Sequence, residues 1–246
     1  MGIFCRKTQF IHEDYRKAED FILSIPSLFE KGEGTVIYKG RNELRMFEHR
    51  GIEYIVKSYR IPNIINRFVY GLFRPSKAQR SYEYALKLLE IGVGTPFPVA
   101  YMTESNGLLF GKSYFVSLKS SCSHIYKELF ETKFEEEDEV LRQVAVVTAT
   151  LHNNNISHLD YGRANILFEK VGEEIKIELV DLNRMRFAPV SMDEGCKNLE
   201  RLPATPRMHK ILSKEYARLR GFNPDKCLEL MKKYRSKDNN LIDGLY

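Results

Sequence analysis

The chain has 246 residues, of which 43% are hydrophobic and 29% are charged, and its net charge at pH 7 is +5. These values are typical of a folded protein with one large domain or two modest lobes, and they exclude an intrinsically disordered chain. Its apolar stretches fall short of the roughly eighteen residues that a membrane-spanning helix needs, so integral membrane insertion is not expected.

The N-terminal segment has no continuous apolar region and soon reaches Arg6 and Lys7, so we expect no cleaved secretory signal. Arg6 also stands where N-myristoylation requires Ser or Thr. The four cysteines are widely scattered and form no C-x-x-C pair: Cys5, Cys122, Cys196 and Cys227. This spacing argues against a zinc site or a small disulfide scaffold and is typical of a reducing cytoplasm.

Five segments predict the elements of the first 152 residues. Residues 34–59 contain three β-rich runs separated by KGRN and EHRG, which predicts an antiparallel meander. Residues 76–91 carry apolar residues at helical spacing, and two further strands are predicted over TPFPVAYMTE and LLFGKSYFVSLK. The acidic residues 135–139 open a second helix that runs to about His152. The pattern predicts an α+β fold in which a sheet with one helix precedes a helical region.

The stretch HLDYGRANILF (158–168) places three polar residues where a strand approaches, although strands disfavour them. ILFEK, VGEE and IKIELV predict a hairpin after it. If that hairpin is symmetric about residue 173, Asn165 and Asp181 lie opposite each other, roughly 5 Å apart. Two hard oxygen donors at that spacing suit Mg²⁺, and Asp160 beside them is placed to accept a proton from a hydroxyl. Turn formation explains any one of these residues alone but not the whole set.

The sequence LHNNNISHLDYGRANILF, followed by IELVDLNRMRF, resembles the catalytic and metal-binding motifs of the protein-kinase-like superfamily. The resemblance extends over nearly the whole chain. It implies one two-lobed kinase-like domain over residues 1–246, with an N lobe at about 1–117, a hinge at about 117–122 and a C lobe at about 123–246. KSYFVSLKS falls where the hinge is expected, so its backbone would meet the adenine of ATP.

The resemblance also implies a role for each candidate residue. Asp160 resembles the catalytic base, Asn165 and Asp181 resemble the Mg²⁺ ligands, and His158 resembles a buried residue that supports the loop. YIVK resembles the lysine motif of the third kinase strand, so Lys57 would hold the α- and β-phosphates of ATP.

The other nucleotide contacts are less defined. Glu83 is the expected ion-pair partner of Lys57, and Glu90 is a weaker candidate because it lies almost at the helix end. The glycine-rich loop of kinases is represented by few glycines here, and its remnant is either KGEG or YKGRN. The candidates are Gly32, Gly34 and Gly40.

DLNR stands where protein kinases have D-F-G, and no A-P-E follows, which implies a reduced activation loop. VDLNRMRF, RPSKAQRSYEYALKLLEIGVGTPFPVAY and VKSY together resemble the Kdo/WaaP-type lipopolysaccharide kinases. This resemblance implies a bacterial enzyme that uses ATP and Mg²⁺ to phosphorylate a hydroxyl of 3-deoxy-octulosonic acid (Kdo), or of heptose, in a lipid A-linked core oligosaccharide. The alternatives are a kinase of a soluble small molecule and a pseudokinase that serves as a binding scaffold.

Two basic segments remain. Residues 54–82 contain no acidic residue, and residues 197–237 hold twelve Lys or Arg. A solvated basic face and an anionic partner explain such segments equally well. The implied acceptor is embedded in a bilayer, so the enzyme has to work at a membrane surface. The basic and apolar residues 60–80 suit such a surface, and we expect a cytoplasmic protein that associates peripherally with the anionic inner membrane. The expected contacts are Arg67, Arg74, Lys77 and Arg80. Nucleic acid is not an expected partner.

Overall fold

The computed structural model describes residues 5–60, 75–106 and 109–234. The chain divides into two compact units. The first contains the residues up to Leu86 together with Pro96–Lys119, and the second contains Lys87–Thr95 together with the residues from Ser120 onward. The lobe and hinge boundaries expected from the sequence remain predictions.

The first unit holds a six-stranded antiparallel sheet in the order β1-β5-β6-β4-β3-β2. Its strands are β1 (Cys5–Ile11), β2 (Thr35–Lys39), β3 (Glu43–His49), β4 (Ile52–Tyr59), β5 (Pro98–Asn106) and β6 (Leu109–Leu118). The predicted meander is confirmed as β2, β3 and β4, and the two later strands are confirmed as β5 and β6. No element was predicted before residue 34, where the structure has β1, a 3-10 helix and α1 (Glu19–Glu30).

Helices cover both faces of this sheet. On one face, Tyr54 and Val56 of β4 are buried in a core with Ile22 and Ile25 of α1. On the other face lies α2 (Lys77–Glu90), whose Ser81 Oγ is 2.7 Å from the hydroxyl of Tyr59. Burial of apolar side chains on two faces gives this unit a core of its own.

The second unit begins with short strands and is mainly helical afterwards. It contains β7 (His124–Ile125), a 3-10 helix (Tyr126–Phe130), α3 (Glu137–Asn153), β8 (Ile156–His158), β9 (Ile166–Val171), β10 (Glu174–Leu179), β11 (Met185–Phe187), α4 (Met192–Asn198), α5 (Pro206–Arg220) and α6 (Pro224–Tyr234). The strands form a sheet of order β10-β9-β7 and a separate β11-β8 pair. The helix predicted over 135–152 is confirmed as α3, whose buried stripe packs against α5.

The segment after α2 is fixed against β10. Leu179 N donates to Gly94 O at 2.8 Å, and a Cβ on Gly94 would overlap the carbonyl oxygen of Ile177. Only glycine permits this close approach of two backbones.

Candidate active site

The loop that carries Asp160 is tied into the second unit by backbone hydrogen bonds. β8 pairs with β11 so that His158 lies opposite Met185, and Leu159 N donates to Arg184 O at 2.8 Å. After Asp160 the chain turns tightly, because Gly162 N donates to Asp160 O at 2.9 Å. The pairing of β8 with β11 before the loop, together with the turn within it, holds Asp160 in a defined position.

His158 lies beneath this loop and is completely buried. Its Nδ1 accepts a hydrogen bond from Asp160 N at 3.1 Å, so its Nε2 carries the hydrogen that is donated to Val180 O, also at 3.1 Å. Burial lowers the pKa of His158, which keeps the ring neutral and preserves this tautomer. The side chain therefore joins the loop to the end of β10.

Asn165 lies between the loop and β9. Its Nδ2 donates to Asp160 O at 2.8 Å, and its backbone oxygen accepts from Val180 N at 3.0 Å. The first bond orients the amide so that Nδ2 faces the loop, which leaves Oδ1 as an acceptor for a cation.

The expected hairpin register is wrong by one residue. Ile166 pairs with Leu179 and Val171 with Glu174, so the hairpin is centred between residues 172 and 173. The cause is a two-residue turn in which Gly172 has a φ of 63°. Asn165 is therefore bonded to Val180, and Asp181 follows one residue later.

Asp181 adopts a left-handed backbone with a φ of 59°, which ends the extended strand. Its Oδ1 accepts a hydrogen bond from Nδ2 of the buried Asn183. A carboxylate of Asp181 and an amide oxygen of Asn165 form a donor set of the kind Mg²⁺ uses when substrate phosphates complete its shell. In the part of the chain that the structure describes, no cluster of three or more His, Cys, Asp or Glu forms an all-protein metal site.

A second buried network supports the same loop from below. Asn198 Nδ2 donates to His158 O at 2.9 Å, and its Oδ1 is 3.0 Å from His152 Nε2. His152 Nδ1 is 2.9 Å from the hydroxyl of Tyr216. Burial lowers the pKa of His152 to about 4, so it is neutral at pH 7. Asn198 was not predicted, because its partners lie 40 and 46 residues away in the sequence.

Lys57 lies on the α2 face of the sheet in the first unit. The cross-strand row that contains Lys57 also holds Phe115 and Tyr101, because residues paired across strands share a face. Tyr82 of α2 packs on this row, with its ring 5.5 Å from that of Tyr101. Lys57 Nζ lies 5.4 Å from the ring centre of Tyr59.

Two neighbouring side chains, Gln79 and Tyr101, locate the carboxylate of Glu83. Its Oε1 accepts from Gln79 Nε2 at 2.9 Å, one helical turn earlier. The pKa of Tyr101 is raised by burial and then by the negative charge of Glu83, so this carboxylate lies in the neighbourhood of Tyr101. Glu90 is exposed at the end of α2.

The candidate glycines lie in different surroundings. Gly40 belongs to the turn between β2 and β3, where Gly40 N donates to Asn42 O at 3.0 Å. Gly32 and Gly34 both have positive φ and precede β2, and the ring of Phe47 occupies the space beside Gly34. Of these positions, Gly40 is the one placed between two strands of the meander.

A protein-family model described as the lipopolysaccharide kinase (Kdo/WaaP) family matches residues 66–222, which is well over half of the chain. The chain belongs to this family. Membership confirms the predicted resemblance and the assignment to a family of phosphotransferases.

One solved structure supports the fold. A structure titled "WaaP in complex with acyl carrier protein" is similar with a TM-score of 0.63 and 17% identity, covering 92% of this chain and 97% of that chain. The Rio2 kinase from Chaetomium thermophilum, in an ADP/Mg²⁺-phosphoaspartate complex, matches with a TM-score of 0.47 and 14% identity over 94% of this chain and 72% of that one. The first match confirms the predicted kinase-like fold for this member of the Kdo/WaaP family.

A curated sequence relative is the putative ribosomal protein S6 kinase alpha-2 of Caenorhabditis elegans. It is 33% identical over 62 residues, which are 25% of this chain and 8% of that protein. This chain therefore spans a small part of that relative's length.

The structure of this lipopolysaccharide kinase family member contradicts one of the four predicted membrane contacts, Arg80. Arg80 was expected to face a membrane, but it is only 7% exposed, because this part of α2 is enclosed on several sides and Ala78 and Ser81 are buried as well. Lys77 is half-buried, while Arg67 and Arg74 lie outside the described residues.

Two charged residues beside Asp160 were not assigned from the sequence. Arg201 Nη1 donates to Asp160 Oδ1 at 2.7 Å, and Arg184 Nη1 lies 3.8 Å from Oδ2. Arg184 is visible in the motif DLNR, but Arg201 is 41 residues from Asp160 and no local pattern marks it.

Proposed function

We propose that this chain is an ATP-dependent kinase that phosphorylates a sugar hydroxyl, of Kdo or heptose, in the inner core of lipopolysaccharide. The observation that supports this proposal best is Asp160 itself. Its side chain is 31% exposed, while the loop that carries it is held by the buried His158. A fixed, accessible carboxylate in a family of lipopolysaccharide kinases suits a general base for a hydroxyl acceptor.

In the proposed reaction, the acceptor hydroxyl donates its proton to Asp160 while its oxygen forms a bond to the γ-phosphorus of ATP. The bond from that phosphorus to the β–γ bridging oxygen breaks, and ADP leaves. Asn165 and Asp181 would hold Mg²⁺, which when bound neutralises charge on the phosphates. Asn183 keeps Asp181 oriented through its hydrogen bond to Oδ1.

In the first unit, Lys57 would bind the α- and β-phosphates of ATP. Glu83 of α2 would be its ion-pair partner in the nucleotide-bound enzyme. Gly40 would let the β2–β3 turn approach a phosphate closely, since glycine has no Cβ. Positioning and charge neutralisation of this kind account for most of the catalysis in phosphoryl transfer.

Parallel acceptor assays test this function. Labelled ATP and Mg²⁺ are incubated with the full chain and with Kdo-lipid A, heptosylated core, a generic protein or an aminoglycoside. We expect label on one of the two glycolipids. Label on the protein or the aminoglycoside alone would contradict the lipopolysaccharide assignment, and Mg²⁺-dependent ATP binding without any turnover would favour the scaffold alternative.

We also propose that the protein associates peripherally with an anionic membrane surface. Among the described residues, no helix is both long and apolar enough to cross a membrane. The proposal depends on the basic residues Arg67, Arg74 and Lys77, each of which adds on the order of 1 kcal/mol near anionic lipid.

Co-sedimentation with anionic and neutral liposomes at low and high salt tests this association. Replacing the three basic residues with Glu should abolish salt-sensitive binding. The control reverses three exposed, ion-paired residues elsewhere, Lys112, Lys119 and Arg142, and should keep more binding despite the same change in net charge. Equal recovery on neutral vesicles would show that the basic segment is only a solvated face.

A further inference from the structure

The carboxylate of Asp160 lies between two guanidinium groups of the second unit. Arg201 hydrogen-bonds Oδ1 at 2.7 Å, and Arg184 lies 3.8 Å from Oδ2. The side chains of Arg201 and Arg184 are 55% and 47% exposed. Both oxygens of the proposed base therefore face positive charge, and the whole group is accessible to a ligand.

Both arginines extend from backbone that lies close to the Asp160 loop. The carbonyl of Arg184 accepts the hydrogen bond from Leu159 N, directly before Asp160. The carbonyl oxygen of Arg201 is 3.9 Å from the position that a Cβ on Gly162 would occupy, two residues after Asp160. The backbone of Arg184 thus lies beside the residue before Asp160, and that of Arg201 lies near the residue two positions after it.

Stability does not explain this arrangement. Exposed ion pairs contribute only about 0–1 kcal/mol to folding. The pair does not assist the proposed base either, because Arg201 occupies one acceptor position on Oδ1 that a hydroxyl proton could use. The other acceptor positions of the carboxylate stay open to an acceptor hydroxyl.

We propose that Arg201 and Arg184 bind an anionic group of the acceptor, a carboxylate or a phosphate, that lies beside the reacting hydroxyl. This inference rests on the proposed function and specifies which class of acceptor the site prefers, one with a negatively charged group beside the reacting hydroxyl. Arginine presents five N–H donors in a planar fork that matches both anions. Among the described residues, Asp160 is the one hydrogen-bond partner found for the guanidinium of Arg201, so its other donors are available to a ligand.

Acceptor binding then prepares the base. When the anionic group arrives, Arg201 exchanges Asp160 for it, which frees one more acceptor position on Oδ1 for the neighbouring hydroxyl. A neutral acceptor of the same shape leaves Asp160 bonded to Arg201. The site therefore selects its acceptor by charge.

Fragment binding tests the charge selection without requiring turnover. The full chain is titrated with a Kdo glycoside, its neutral methyl ester, a heptose phosphate and unmodified heptose, and affinities are measured by NMR. We expect the wild type to bind at least one charged sugar about 10- to 100-fold more tightly than its neutral counterpart, since hydrogen bonds to charged groups are strong. Comparing the two pairs distinguishes a carboxylate from a phosphate.

Arg201→Gln and Arg184→Gln should remove most of this preference. The matched control is Arg207→Gln, because Arg207 is 59% exposed and pairs with Glu137 and Asp138. The control should keep the preference, and thermal denaturation should show all three variants folded. Equal binding of charged and neutral sugars by the wild type would overturn the inference.

Transfer assays give the second readout. Arg201→Gln should lower kcat/KM about 10- to 100-fold for the charged acceptor and much less for the neutral one. An equal loss on both acceptors would show a structural role and overturn the inference. If the wild type phosphorylates no glycolipid, the proposed function fails, whereas the binding ratios still decide whether the arginines select an anion.

Discussion

The Asp160 loop and the β2–β3 turn carry two of the proposed functions, and they are built differently. The loop is supported from below by buried groups, with His158 and Asn198 completing its backbone hydrogen bonds. The turn that contains Gly40 follows β2, an edge strand whose residues are all exposed. Asp160, the proposed base, is held in place by many interior contacts. Gly40, the proposed phosphate-binding residue, is held by a few contacts at the surface.

This difference has a physical reason. A base has to meet one hydroxyl in one geometry, and buried hydrogen bonds make displacement costly because the abandoned groups stay unpaired. A backbone that touches a phosphate tolerates more movement, since any of several N–H groups serves. We therefore expect substitutions in the loop network to have large effects and substitutions in the turn to have small ones.

The largest effect should come from the carboxylates. Asp160→Asn should leave binding of ATP and Mg²⁺ nearly intact but reduce transfer about 10²- to 10⁴-fold, the usual contribution of a general base. Asp181→Asn should weaken nucleotide binding as well, because a metal ligand acts in the ground state too. Binding titrations beside turnover measure both, with the exposed Asp225→Asn as control. Full turnover by Asp160→Asn would contradict the assignment of the base.

Removing the support beneath the loop should be the next largest change. His158→Phe leaves Asp160 N and Val180 O without their partners. At about 1–3 kcal/mol for each unsatisfied group, we expect a loss of about 2–6 kcal/mol in unfolding free energy, together with lower turnover. Urea denaturation measures the first quantity. The half-exposed His124 supplies the control, and similar losses for His124→Phe would count against a special role for the buried ring.

Acid should weaken the loop network before it affects the turn. The pKa of His152 is about 4 in the folded chain, below its unfolded value of about 6.5, so its contribution is complete above pH 6.5 and is lost as the pH falls toward 4. The loss amounts to roughly 3 kcal/mol by pH 4. The lowered pKa of His158 acts in the same direction.

Urea unfolding at pH 7, 5.5 and 4.5 measures this dependence. The same series on His152→Gln should show a shallower slope, because one of the two histidines of the loop network is gone. An identical slope in the variant would show that other groups cause the acid sensitivity.

The smallest effect should come from the turn. Gly40→Ala should raise the KM for ATP no more than a few-fold, with unchanged stability, since the atoms nearest to its new Cβ belong to the exposed side chain of Tyr38, which can move aside. Gly34→Ala should instead destabilise the protein, because Gly34 has a φ of +84° and faces the Phe47 ring. Nucleotide kinetics and thermal denaturation of both variants separate the two candidate glycines. A selective change in KM for Gly34→Ala would reverse their roles.

The sequence predicted elements whose signals are local. Alternating strands, a helix with an acidic start and the spacing of Asp160 and Asn165 are all visible within short windows. The hairpin register was missed by one residue because Gly172 and Glu173 form a shorter turn than VGEE suggests. Arg201 and Asn198 were missed for a different reason: each meets the loop across about 40 residues, and no periodicity encodes such a contact.

Gly94 and its neighbours have a consequence for protein engineering. Because residues 87–95 belong to the second unit, the polypeptide passes between the units after Leu86, after Thr95 and again after Lys119. A chimera joined at residue 119 alone would carry Gly94 from one parent and its partner Leu179 from the other. Exchange of units between family members therefore calls for three junctions, unless the parent that supplies residue 94 has glycine there.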